Sequence, residues 1–225
     1  ELKGWLVLAR SHLVQYGRSK QKGYLSMTIK KWVYLFWTTS LIGGAVALIV
    51  GCIQELIVGA DYGGERLVSL FLYVWAGVMY GVVALLGFFA FIILNYLMIS
   101  TFKSSRLFQG VLWVLLVFVF ADVVYLRYAY FATAGETWIQ YVWFPLFILA
   151  VSLFVAWRKS VATNFRAFSS TVFFMFVFTV IELLPALKEN NVKSLWFMLI
   201  PLLVCNMWQI MQLHRLLPED AKEVV

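Results

Sequence analysis

Charge is scarce in this 225-residue chain, and so are cysteine, histidine and proline. Only 13% of the residues are charged, about half the share usual in a soluble domain. Cys52 and Cys205 sit in separate apolar runs, so they build neither a disulfide framework nor a CxxC metal signature, and both read as packing residues. The two histidines, His12 and His214, lie in basic or terminal segments, which leaves no HExxH zinc motif and no phosphoacceptor setting. Neither a GxxxxGKS/T phosphate loop nor a GxSxG nucleophile elbow is present. Nucleotide, zinc and serine-hydrolase chemistry are thereby set aside. The expectation is a chain that is not an enzyme and uses no cofactor and no metal.

What the sequence has in excess is apolar surface: 63% hydrophobic residues, 18% aromatic, and a mean hydropathy of +0.87. Many of the ten Trp and eleven Tyr stand at the ends of apolar runs, where interfacial belts form. These features predict an all-α integral membrane bundle with no soluble domain. The net charge of +7 raises nucleic acid as a partner, but the basic residues fall mostly in short segments between apolar runs. Orientation in a lipid bilayer accounts for them, and no nucleic-acid partner is expected.

Residues 1–26 hold Lys3, Arg10, Arg18, Lys20 and Lys22 around a short apolar patch, Trp5 to Leu8. One reading is an amphipathic helix on an anionic membrane surface. The favoured one is a basic extension ahead of a natural start at Met27, which directly precedes two lysines and a span. No cleavage site follows, so the segment does not read as a signal peptide.

Six spans follow within a membrane domain of 27–217: about 32–54, 67–99, 107–126, 138–157, 168–187 and 195–213, with a short tail at 218–225. In span one Gly43, Ala47 and Gly51 recur every four residues, and in span two Gly77 and Gly81 form a GxxxG pair. Both are candidate helix-packing sites. Span two is long: no formal charge appears in the 33 residues from Leu67 to Ile99, about 50 Å of helix, so tilt, a kink or an interfacial first turn is expected. Six spans put both ends on one side. That side carries 14 Lys and Arg (seven ahead of span one, two after span two, three after span four, two in the tail) against four on the other, which predicts that both termini are cytoplasmic.

Ionisable residues inside spans mark candidate sites, since each costs about 2.5–3.5 kcal/mol at the bilayer centre by insertion scales. Asp122 lies fifteen residues into span three from Leu107, about 22 Å, and Glu182 fourteen into span five from Phe168, about 21 Å. The two carboxylates share a level, with Arg127 nearer the outer edge. Five residues turn a helix by 140° beyond one full turn, so Asp122 and Arg127 point to different sides and a pair within the helix is disfavoured. Thr171, Met175 and Thr179 continue the Glu182 face as a weakly polar stripe expected to face the bundle, with Asp122 close to it. Asn206 and Gln209 are mid-membrane polar residues of span six.

Three readings of Asp122, Arg127 and Glu182 compete: helix-end polar groups or helix pins; an outward-opening sensor pocket lined by Tyr125, Tyr128 and Trp138; or a proton or cation site on paired acids.

Five segments carry a resemblance: TIKKWVYLFWTTSLIGGAVALIVG from Thr28, FKSSRLFQGV from Phe102, DVVYLRYAYFATAGE from Asp122, IELLPAL from Ile181 and PLLVCNMWQIMQLHRLL from Pro201. With them, from about Met27 to Leu217, the chain resembles the KinB-signalling-pathway activation protein family of spore-forming Gram-positive bacteria. The resemblance implies a small multi-pass membrane regulator, without catalytic activity, that promotes a membrane-bound sporulation histidine kinase feeding the phosphorelay. Its partner would be that kinase or an accessory lipoprotein. The alternative is a small transporter or channel using Asp122 and Glu182.

Overall fold

The computed structural model describes residues 29–58, 66–101, 105–132, 136–165, 167–189 and 191–216. The basic extension at 1–26, the start at Met27 and the tail at 218–225 lie outside the described residues. Among the described residues the fold is all-helical, with six helices long and apolar enough to cross a membrane. They are α1 (Ile29–Val58), α2 (Arg66–Thr101), α3 (Ser105–Phe131), α4 (Trp143–Ala162, entered through a short 3-10 turn at Trp138–Tyr141), α5 (Ala167–Glu189) and α6 (Val192–Leu216).

Runs of Leu, Phe, Val and Ile can satisfy their backbone groups internally only as helix when no water is at hand. Five helices overrun both ends of the apolar runs that mark them, α1 starting at Ile29 instead of Trp32 and ending at Val58 instead of Gln54; α4 starts as α-helix only at Trp143, inside its run, and overruns it to Ala162. Helical hydrogen bonding continues past the point where hydropathy falls. The long second run forms one helix of 36 residues, about 54 Å at 1.5 Å per residue. Local signals set the other ends. Pro145 stands in the first turn of α4, where its missing N–H has no helical partner to lose. Asn191 caps α6, its Oδ1 accepting the N–H of Lys193 at 3.0 Å.

The α1–α2 crossing is built on small residues. A side chain added at Gly43 would meet the Gly77 carbonyl oxygen, one at Gly77 would meet the Gly43 carbonyl and the Ala47 Cβ, one at Gly51 the Tyr73 ring, and one at Gly81 the Ser40 Cα at 3.0 Å. The two backbones therefore touch, as small residues allow in membrane helices. Gly43→Leu is expected to cost about 1–3 kcal/mol or more through overpacking against backbone that cannot yield. Unfolding of the purified protein in detergent checks this, and unchanged stability would show that the crossing is loose.

The helices differ sharply in burial. The apolar window of α5 is 78% buried and that of α6 56%, while that of α3 is only 17%. Thus α5 runs through the middle, packed on α2 by Phe88, Phe91, Phe174 and Phe178, with Phe91 and Phe174 at 4.8 Å between ring centroids. The outer surface is apolar: Trp37, Phe71, Leu86, Phe118 and Val161 are all more than half exposed.

Candidate functional site

The central helix departs from α geometry once. Ala167–Phe173 is α-helical, Phe174–Phe178 makes a π turn, and Thr179–Glu189 resumes as α-helix. Single π turns inside α-helices recur at functional sites, because the widened turn redirects the side chains after it. The residues that follow here are Thr179 and Glu182. The expected polar stripe does face inward, with Thr171, Met175 and Thr179 fully buried and Glu182 only 7% exposed.

Asn206 of α6 ties these residues together. Its Nδ2 donates to Glu182 Oε2 at 2.8 Å and to Thr179 Oγ1 at 3.0 Å. The other carboxylate oxygen, Oε1, lies directly over Gly87 of α2, where a Cβ would overlap it, and the Phe178 ring closes the same space. Glu182 Oε1 and Asn206 Oδ1 have no hydrogen-bond partner among the described residues, so the trio retains two buried acceptors. Three helices meet at this carboxylate, α6 through the Asn206 amide, α5 through the Phe178 ring and α2 through Gly87, while the Thr179 hydroxyl shares the amide.

A polar seam continues from the trio along α6. Gln209, with its amide oriented by its partners, meets the Ala84 carbonyl at 3.1 Å and the Leu85 N–H at 3.3 Å on α2. Cys205 Sγ donates to the Thr39 carbonyl at 3.6 Å, and Trp208 Nε1 to Thr38 Oγ1 at 3.2 Å, both on α1. Asn206 and Gln209 therefore belong with Glu182, in a lock that joins α6 to α5, α2 and α1. This lock is the candidate functional site.

The grouping of Asp122 with Glu182 is corrected by the structure. Asp122 is exposed on the outside of α3, while Glu182 is buried against α2 and α6. Equal depth along two helices says nothing about the direction in which each side chain points. Arg127 does point away from Asp122, as helical phase requires. It is half-buried beneath aromatic rings, with its Cζ 5.0 Å from the Phe144 centroid and 5.9 Å from that of Tyr141. Tyr141 in turn donates to Glu136 Oε2 at 2.6 Å and packs edge-on against Tyr128. The outer tyrosines thus divide: Tyr128 packs on this aromatic cluster, and Tyr125 is 67% exposed. Both line a shallow apolar groove of about 330 Å³ with Phe120, Val124 and Trp138. Trp138 thus shares a groove with the two tyrosines, but neither Glu182 nor Arg127 lines it.

Asn206 as the partner of Glu182 was missed from the sequence, although a signal for it existed. Two carboxylates cannot satisfy each other's acceptors without a shared proton, whereas an amide supplies donors. A buried acid looks first for an Asn, Gln or basic residue on another span.

Residues 39–216 match the KbaA family, described as KinB-signalling pathway activation in sporulation. The chain belongs to that family. Over 152 residues it is 31% identical to the KinB-signaling pathway activation protein of Bacillus subtilis (strain 168), covering 68% of this chain and 77% of that relative. No solved structure matches it. The family match contains every residue of the lock except Thr38, from Thr39 and Gly87 through Thr179 and Glu182 to Asn206 and Gln209, and also the whole of α3.

Proposed function

We propose that this KbaA-family member is a non-enzymatic, multi-pass protein of the bacterial plasma membrane, with both ends cytoplasmic, that promotes activation of a sporulation sensor histidine kinase. Family membership carries the pathway. Support for the membrane comes from the surface, where Trp37, Phe71, Phe118 and Val161 stand exposed on six apolar helices, an arrangement suited to lipid and costly in water. Such a protein acts by contact: binding one state of the kinase's membrane helices more tightly than the other shifts the balance between them. The lock ties α6 to α5, α2 and α1, which suits a bundle that presents one fixed surface.

The transporter reading loses its main observation, because it needs two facing acids and Glu182 faces an amide, a ring and a glycine.

Deleting the gene is expected to lower kinase-dependent sporulation, and the full-length chain supplied in trans to restore it. The kinase should be captured by crosslinking in membranes from sporulating cells. Reporters fused to either end should report the cytoplasm. Undiminished sporulation after deletion would overturn the pathway; recovery of the chain from the soluble fraction would overturn the membrane assignment.

A further inference from the structure

The least buried helix carries the one lipid-facing acid described in the middle of a span. Gly110, Val114, Phe118, Asp122 and Tyr125, spaced four, four, four and three apart, make a single stripe along α3. The stripe is open: Val114 is 70% exposed, Phe118 68% and Tyr125 67%, Asp122 is exposed, and a side chain added at Gly110 would meet nothing.

Depth makes Asp122 costly. The 27 residues of α3 measure about 40 Å, close to the whole bilayer with its headgroup zones, so residues near Phe118 lie at the midplane. Asp122 then stands about 6 Å outward of the midplane and about 9 Å inside the hydrocarbon edge. A Lys or Arg could snorkel across that distance on its long stem; an Asp side chain has one methylene. Among the described residues Asp122 makes no hydrogen bond or ion pair. Intramembrane charges ordinarily have a partner, and this chain's nearby cation, Arg127, is turned the other way beneath Tyr141 and Phe144.

Beside the stripe runs the apolar groove lined by Phe120, Val124, Tyr125, Tyr128 and Trp138, sharing Tyr125 with it. The groove lies round α3 from the carboxylate, with Phe120 and Val124 turned about 200° from Asp122, and meets the stripe at Tyr125. A charge with a groove at its flank fits a helix better than a lipid tail. An acyl chain fills the groove and leaves the carboxylate unmatched.

We propose that the Asp122 face of α3 docks a transmembrane helix of another protein, one that presents a Lys or Arg side chain at the level of Asp122 and seats an apolar side chain in the adjoining groove. This rests on the membrane reading above and gives the regulator a contact surface and its partner a chemistry. Gly110 and Val114 let the docked helix approach closely along the inner half, and the ion pair sets its register.

The full chain in phosphatidylcholine vesicles, mixed with a labelled polyleucine transmembrane peptide bearing one Arg at the matching depth, tests the proposal by energy transfer. The Arg peptide is expected to bind and its all-leucine counterpart to bind about tenfold more weakly, the size of one interhelical polar contact in membranes. Asp122→Asn should erase most of that difference. Asp122→Leu should leave detergent stability equal or higher, since it removes an unpaired lipid-facing acid. Equal binding of the two peptides, or lost stability in Asp122→Leu, overturns the proposal. So does energy transfer between copies of this chain that Asp122→Asn abolishes, which would make the occupant a second copy. The peptide assay does not involve the kinase. If the Arg peptide binds while gene deletion leaves sporulation intact, the pathway reading fails and this face stands; the opposite pair of results does the reverse.

Discussion

Asn206→Leu is expected to destabilise the protein by about 2–3 kcal/mol, because one amide nitrogen donates to two buried acceptors and its loss leaves both without that donor. Thr179 can turn its hydroxyl back to a carbonyl one turn earlier in α5, as Thr does in helices. Glu182 has no such recourse. Its other oxygen already lacks a partner among the described residues, and Gly87 and Phe178 close the space around it. Most of the loss therefore comes from stranding the carboxyl, and a second substitution can reveal it. Glu182→Met in the Asn206→Leu background removes the stranded group and keeps the volume, so the double variant should regain much of the stability, with a coupling of about 1–3 kcal/mol. Denaturation of the four proteins in detergent measures the cycle. Additive losses would mean that Asn206 and Glu182 do not act as a pair.

The same double variant separates structure from signalling. If the lock only holds α5, α6 and α2 in register, an apolar replacement of restored stability should still support kinase-dependent sporulation. If the buried acceptors take part in the switch, sporulation should fall while stability returns, and Glu182→Gln, which keeps the shape and adds a donor, should alter signalling more than stability. Sporulation scored at matched protein levels in the membrane decides between these outcomes.

The sequence made the helices legible and their neighbours illegible. Length and hydropathy are properties of one segment, so six runs marked six helices, short only at ends where hydrogen bonding outlasts hydrophobicity. The small residues of α1 and α2 were readable for a related reason: glycines at four-residue spacing in an apolar helix let a neighbouring backbone approach. The inward stripe of α5 was readable too, aided by its position, for ten consecutive residues from Thr171 to Val180 are buried and no phase error could have exposed them. Asp122 shows the limit. Its depth and its angle to Arg127 follow from counting along one helix, but whether it meets Glu182 depends on which helices adjoin, and α3 lies at the edge while α5 lies in the middle. Hydropathy does not separate those positions, with values of 2.3 and 2.0 for the two spans. Donor and acceptor chemistry does better, pointing from the acid of α5 to the amide of α6.

Gly87→Ala is expected to lower stability, against the usual sign of that substitution. In an unobstructed helix, replacing Gly with Ala gains about 1 kcal/mol from reduced backbone freedom in the unfolded chain and better helix propensity. Gly87 is only half-buried and sits inside a long regular helix, so propensity alone favours alanine. The obstacle is Glu182. The added methyl would occupy the position of Oε1, and the carboxyl cannot retreat without breaking the 2.8 Å bond from Asn206 or moving into the Phe178 ring. Overpacking of this kind costs about 1–3 kcal/mol, enough to reverse the propensity gain. The background decides whether this account is right. With Glu182→Ala already in place the space is vacant, and Gly87→Ala should then become neutral or stabilising. A loss of the same size in both backgrounds would place the obstacle elsewhere on α2, and a gain in the wild-type background would show that the carboxylate does not rest on Gly87. Under the proposed function the switch of sign should carry into cells: Gly87→Ala alone should reduce kinase-dependent sporulation more than it reduces protein level, because the displaced acid shifts the register in which α2, α5 and α6 meet.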